Sequence, residues 1–259
     1  MQRPYRYILD FAQYFTTGVG LLSLGSLLSL TMASTVWGGY TPPPNPSAPS
    51  DRGYTAGTRN GCAGNEQAAL TVIAPHSHIG RTTSTRPTLT WFVPDQTTYP
   101  LELAVVGSSE KHTTPMIKES ISGFGHWTIP EKQSLAKNHK YRWQVVLVCN
   151  QNRPSTSLVV EAEIEVVEMP PDLASALATV SEPVMRSQLY AKAGFWYDAF
   201  AEVITLKDVA ARDAALALLK DLSTQELAHP SQPSIQQGQR LQQILQTQSS
   251  KATANSQSK

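Results

Sequence analysis

Apolar and polar residues alternate with a period of two through residues 70–168, the pattern of strands with one buried face. Leu89, Trp91 and Val93 share one face of a run, and Leu101, Leu103 and Val105 share one face of the next. In residues 141–149, "YRWQVVLVC", Tyr141, Trp143, Val145, Leu147 and Cys149 fall on one side, with Arg142 and Gln144 opposite. In the last run Leu158, Val160, Ala162, Ile164 and Val166 alternate with Glu161, Glu163 and Glu165. Turn residues separate the runs: Pro94-Asp95, Gly107-Ser108-Ser109, Gly123, Asn138 and Asn150-Gln151-Asn152. This spacing predicts seven strands, near 69–75, 86–93, 100–107, 112–121, 124–130, 139–149 and 156–167. Short strands so spaced predict an antiparallel β-sandwich.

Pro170-Pro171 ends the alternation, and the period becomes helical. Helices are expected over 172–180, 183–193, 195–206 and 208–222, with Ser181 as N-cap of the second and Gly194 as its stop. From His229 the chain is rich in Gln and Ser and lacks aromatics, which predicts a mostly disordered tail with a transient helix near 236–246. The start of the chain has a different pattern. Arg3 and Arg6 precede the uncharged run 18–32, "GVGLLSLGSLLSLTM", which has the length of a signal-peptide core. Thr31 and Ala33 predict cleavage before Ser34; an uncleaved anchor counted over 11–37 is the alternative. The expected organisation is therefore a signal peptide (1–33), a Pro/Gly-rich linker (34–68), a β-sandwich (69–169), a helical unit (170–228) and the tail (229–259). The fold class is mainly β plus α: a seven-stranded antiparallel sandwich followed by a small helical unit.

Charge and composition change this picture little. A formal charge of +1 gives no basic face for nucleic acid. The two cysteines, Cys62 and Cys149, matter more, because export would place them where disulfides persist. They allow a single intramolecular pairing. In an up-and-down order of seven strands the first begins at the end where the sixth finishes, so both cysteines fall at that end. A Cys62–Cys149 staple is expected; a buried free thiol at Cys149 with an exposed one at Cys62 is the alternative.

Other candidate chemistry is sparse. His76-Ser77-His78 offers two imidazoles, half of a zinc or copper site, but no carboxylate or cysteine stands nearby at ligand spacing. Two solvated loop histidines are expected instead. Glu161, Glu163 and Glu165 lie about 6.5–7 Å apart along a strand, too far to share one ion, and read as a solvated face with Arg142 opposite. Phe195, Trp196 and Tyr197 cannot all face one side of a helix; core packing is the expected reading, with a partner contact by one of the three as the alternative. No Gly-x-Ser-x-Gly, His-Glu-x-x-His, Cys-x-x-Cys or phosphate loop occurs. No cofactor or metal is expected.

Trp91-Phe92-Val93-Pro94, and Leu135 six residues before Tyr141, resemble a fibronectin type III domain, although Lys137 stands where that family has proline. Tyr190, Gly194 and Ala199 resemble the second half of a tetratricopeptide repeat; Pro183, Arg186 and Ser187 do not match its first half. The combination resembles the cyanobacterial family called domain of unknown function 928. Arg86, Pro87, Trp91, Pro94, Tyr141, Trp143, Cys149, Tyr190, Gly194, Trp196, Tyr197, Asp198 and Ala199 carry that likeness. The resemblance implies an exported cyanobacterial protein and supplies neither activity nor site. The expected address is the periplasm or cell envelope, with the thylakoid lumen as a variant. The expected role is a non-catalytic binding or scaffold protein, its partner an envelope protein or glycan. The alternatives are an assembly factor held near the membrane by an uncleaved N-terminus, and an enzyme with a site between sandwich and helices.

Overall fold

The computed structural model describes residues 39–50, 70–97, 99–107, 111–113, 121–152 and 157–257. These all lie in one compact unit, Val36–Lys259. The expected signal peptide, the rest of the linker and Cys62 lie outside the described residues. Among the described residues eight strands form two sheets: β1 (Thr71–Val72), β2 (Gly80–Thr82), β3 (Thr88–Thr97), β4 (Leu101–Val106), β5 (Lys111–Thr113), β6 (Ile121–Thr128), β7 (His139–Leu147) and β8 (Leu158–Val166). One sheet has the order β1-β3-β6 and the other β2-β8-β7-β4-β5.

The strongest alternations became the central strands. Tyr141, Trp143, Val145 and Leu147 of β7 are buried, as are Val160, Ala162, Ile164 and Val166 of β8, and the two strands pair antiparallel with Trp143 opposite Ala162. The expectation of seven antiparallel strands is corrected by β2. That strand is three residues long and pairs parallel to β8, Gly80 opposite Ile164 and Thr82 opposite Val166. A Gly-Arg-Thr run has no alternation to read, so sequence pattern merged it into the preceding loop. Its presence means that the chain leaves one sheet after β1 and joins the other at β2. The crossing segment carries His76, Ser77 and His78.

Five α-helices follow among the described residues: α1 (Pro171–Ala178), α2 (Pro183–Lys192), α3 (Trp196–Ile204), α4 (Val209–Ala228) and α5 (Gln232–Gln257). Pro183 opens α2, but the cap is Glu182 and not Ser181, its carboxylate accepting from Val184 N and Met185 N. Gly194 ends α2 with φ +85°, which a side chain would resist. The expected disordered tail is instead α5, packed on α4 with Leu241 and Ile244 buried. Gly238 makes the close approach feasible: a Cβ there would meet Leu227 at 2.6 Å, and Ser223 Oγ donates to the Gly238 carbonyl at 2.9 Å. Few apolar residues suffice for α5 because Gln237 and Ser234 are buried beside them and Gln237 Nε2 donates to the Val72 and Ala74 carbonyls. Sheet and helix residues belong to one continuous buried cluster.

Part of the expected linker is docked. Tyr40 and Pro43 are buried, while Thr41 and residues 44–46 are exposed. Among the described residues no helix is long and apolar enough to cross a membrane.

Candidate functional site at the junction of sheets and helices

The helical unit meets the sandwich through α3, at the place where β1 and β2 part company. Trp196 Nε1 donates to the Ile73 carbonyl at 2.9 Å, in the crossing segment. The Tyr197 hydroxyl accepts from Trp143 Nε1 at 2.8 Å and donates to the Glu163 carbonyl at 2.9 Å, so α3 reaches the sandwich interior. Phe200 stacks on Trp196 with ring centroids 5.5 Å apart. Phe195, Trp196 and Tyr197 are all buried, in keeping with the packing expectation and against the alternative of an exposed partner contact by one of them. Three consecutive aromatics can all be buried here because Phe195 is the N-cap and α3 is enclosed between the sheets and the other helices. Asp198, one position on, accepts from Thr83 N at 3.0 Å and Thr83 Oγ1 at 2.9 Å, tying α3 to the residue after β2.

The expected solvated histidines are likewise corrected: His76 and His78 are buried. The bonds around them run in one direction. Ser77 Oγ donates to Glu226 Oε1 at 2.8 Å, which leaves its lone pair for His78 Nδ1–H at 2.9 Å. His78 Nε2 is then the acceptor for the Tyr40 hydroxyl at 2.7 Å. Glu226 is the sink of this relay and also accepts from His76 N at 2.9 Å and Ser77 N at 3.0 Å. Tyr40 is held from α4 by its backbone: its N–H donates to Asp221 Oδ2 at 3.2 Å and its carbonyl accepts from Gln225 Nε2. Its ring stacks on His78 and meets Trp196 edge-on.

Burial sets the protonation states. It pushes His76 down to about 3, with Arg240 adding to the effect and the Pro233 carbonyl opposing it. It pushes His78 down to about 4, helped by Arg81 and His229. It lifts Asp198 to about 6 against the Thr83 and Thr82 bonds, and lifts Glu226 against its Ser77, His76 and Ser234 bonds. The signs then work against each other. An unfolded chain protonates its histidines near 6.5, well before the folded chain does. The histidine contribution to stability is full above about 6.5 and is lost as pH falls toward 4 and 3. Asp198 contributes with the opposite sign: its stabilisation is present below the ordinary carboxylate range and lost as pH rises through about 6. Melting temperatures of His78→Gln between pH 6.5 and 4 are therefore expected to fall less steeply than those of the wild type. Asp198→Asn is expected to fall more steeply. Parallel curves for all three would contradict these assignments.

Of the other sequence candidates, Glu163 accepts from Ser50 N and Ser50 Oγ, and Glu165 pairs with Arg81 at 3.0 Å. Arg142 stands opposite Glu163 in the register. Among the described residues no group of three or more His, Cys, Asp or Glu side chains could hold a metal. Sequence reasoning missed Glu226, Tyr40 and Gln237. One signal for Glu226 was legible: Leu219, Leu222, Ser223 and Glu226 follow one helical stripe, and a carboxylate on a buried stripe needs donors from elsewhere.

These features define a protein in which two β-sheets are completed by a helical unit packed where the chain crosses from one sheet to the other. The chain belongs to the family described as Domain of Unknown Function (DUF928), whose profile matches residues 54–232. No curated protein matches it.

Proposed function

We propose that this protein is an exported, non-catalytic binding or scaffold protein of the cell envelope. The observation that supports the non-catalytic reading is where the perturbed groups spend their bonds. Glu226 is used by three donors of the crossing segment, His78 lies between Ser77 and Tyr40, and Asp198 holds Thr83. Shifted titratable groups often mark active sites, but a structural network perturbs them too, and here each bond joins one part of the fold to another. The reading of the β part as fibronectin type III-like is supported by the sheet orders and by the Tyr141 hydroxyl, which accepts from Ala136 N at 2.8 Å as a corner tyrosine does. The tetratricopeptide-like reading is supported by Gly194 at the α2–α3 turn and by the burial of Tyr190 and Ala199 between the two helices.

The helical unit supplies the contact, through its exposed apolar side chains and not through the aromatic trio. Met185 is 53% and Val209 74% exposed. The test is affinity capture of a tagged full chain from crosslinked envelopes, beside Met185→Glu and Val209→Glu. A partner recovered with the wild type and lost with both variants supports the reading. A turnover on a small molecule, with no partner recovered, overturns it. The anchored assembly factor differs in the mass of the envelope form: loss of residues 1–33 favours release, and a full-length mass favours the anchor.

The Cys62–Cys149 staple is part of the same proposal. Cys149 follows the end of β7, and no free cysteine occurs among the described residues. A bridge closing this loop is worth about 4 kcal/mol in the chain-entropy model. Unfolded, unreduced envelope protein is expected to resist thiol labelling; labelling of both cysteines would refute the staple.

A further inference from the structure

Residues 39–50 lie on the body as a bound peptide does. Tyr40 and Pro43 are buried anchors three positions apart, with exposed residues around them. The anchors have dedicated receptors. Asp221 and Gln225, one turn apart on α4, take the two backbone polar groups of Tyr40. Trp196 and His78 receive its ring and His78 its hydroxyl. Pro43 lies over Gly194, where a Cβ would come within 2.9 Å of the Pro43 nitrogen. Backbone pairing extends the hold: Thr41 N donates to the Ala191 carbonyl at 3.1 Å and Ile79 N to the Ser47 carbonyl at 2.9 Å. Beyond the anchors, Lys140 Nζ donates to Ser47 Oγ and Ser50 donates to Glu163. The receptor thus reads an extended segment bearing a tyrosine followed three residues later by a proline, and the intervening Pro42 helps pre-form the required geometry.

We propose that this groove is an exchangeable site for such a Tyr-x-x-Pro segment, and that its occupant in trans is the same segment of a second copy of this chain. Every copy carries both the groove and its ligand, so exchange creates no new contact and loses none. With Cys62 stapled to Cys149, eleven residues, 51–61, remain between the segment and the bridge, a contour of roughly 35–40 Å when extended. That length lets the segment reach a neighbouring body. At low concentration the tethered segment wins by its high effective concentration, and at high concentration exchange links copies. This inference rests on the contacts of the segment and stands apart from the envelope reading, whose partner is captured through the helical face.

The probe is a labelled synthetic peptide of residues 39–50, titrated into the full wild-type chain and into full-length Tyr40→Ala. The variant, with its own segment weakened, is expected to bind the peptide at least tenfold tighter than the wild type. A peptide with its tyrosine replaced by alanine should bind at least tenfold weaker. Should Tyr40→Ala fail to fold, Thr41→Pro removes the donor to Ala191 while leaving the ring pocket filled, and the same preference is expected. Concentrated wild type is expected to form dimers that excess peptide returns to monomers. Equal binding to wild type and variant, a folded variant that ignores the peptide, absence of dimers at millimolar concentration, or dimers indifferent to the peptide would each overturn the proposal.

Discussion

Trp196→Ala is expected to abolish most of the stability of the whole unit, not of the helices alone. The side chain is fully buried, stacks on Phe200, meets Tyr40 edge-on and donates to the Ile73 carbonyl. Truncating a buried tryptophan costs about 3–5 kcal/mol, and the orphaned carbonyl adds about 1 kcal/mol. Domains are stable by only about 5–15 kcal/mol, so the melting temperature should fall by roughly 10–20 °C. Trp196→Phe keeps most of the packing and should cost about half as much. The loss should reach the sheets, because the neighbouring Tyr197 bonds both Trp143 and the Glu163 carbonyl. Near-ultraviolet circular dichroism and thermal melts check this. A variant that melts within a few degrees of the wild type would show that the helical unit is an ornament on an independent sandwich. Deleting residues 171–259 should for the same reason unfold the sandwich.

Glu226→Ala is the second large effect. Glu226 is fully buried, and three donors end on its Oε1: His76 N, Ser77 N and Ser77 Oγ. Its removal leaves buried donors unmet at about 1–3 kcal/mol each, giving a cost on the order of 3–5 kcal/mol after relaxation. The relay also loses its direction. With no acceptor at Glu226, Ser77 no longer has to accept from His78 Nδ1, and the tautomer that receives the Tyr40 hydroxyl is no longer imposed. Glu226→Gln retains an acceptor at this position and should cost about 1–2 kcal/mol. Chemical denaturation of the three proteins decides the matter; equal stability for Ala and Gln would mean that the donors find water and the relay is dispensable.

The legible parts of the fold share one property: a buried face alternating with a half-exposed one over at least eight residues. β7 and β8 meet that condition, and their centres were readable residue by residue. β3 does not, because Thr90 and Phe92 are buried as well as Leu89 and Trp91, yet its Trp and flanking turn residues still marked it as a strand. β2 is too short to carry any period. α5 was misread because its apolar content is low. Its burial depends on a close helix contact at Gly238 and on Gln237 spending its amide on strand carbonyls, neither of which composition reports.

The junction was hidden for another reason. Its members are near only in space: Tyr40 lies 38 positions from His78, and Glu226 lies 149 from Ser77. Local spacing around His76 and His78 therefore reads as solvent exposure, which their burial overturns. Packing of the aromatic trio was legible in the sequence, but that all three rings are buried was not, because α3 is covered by neighbours that local spacing does not report. Gly194, by contrast, was legible as a stop, and its positive φ bears this out.

The central claim is that sheets, helices and the docked segment 39–50 form one cooperative structure held at the crossing between β1 and β2. Differential scanning calorimetry of the full chain at neutral pH tests it most directly. The account predicts a single transition of the unit, with calorimetric and van't Hoff enthalpies equal, displaced as a whole by Trp196→Ala. Two separable transitions, of which the substitution moves just one, would contradict it.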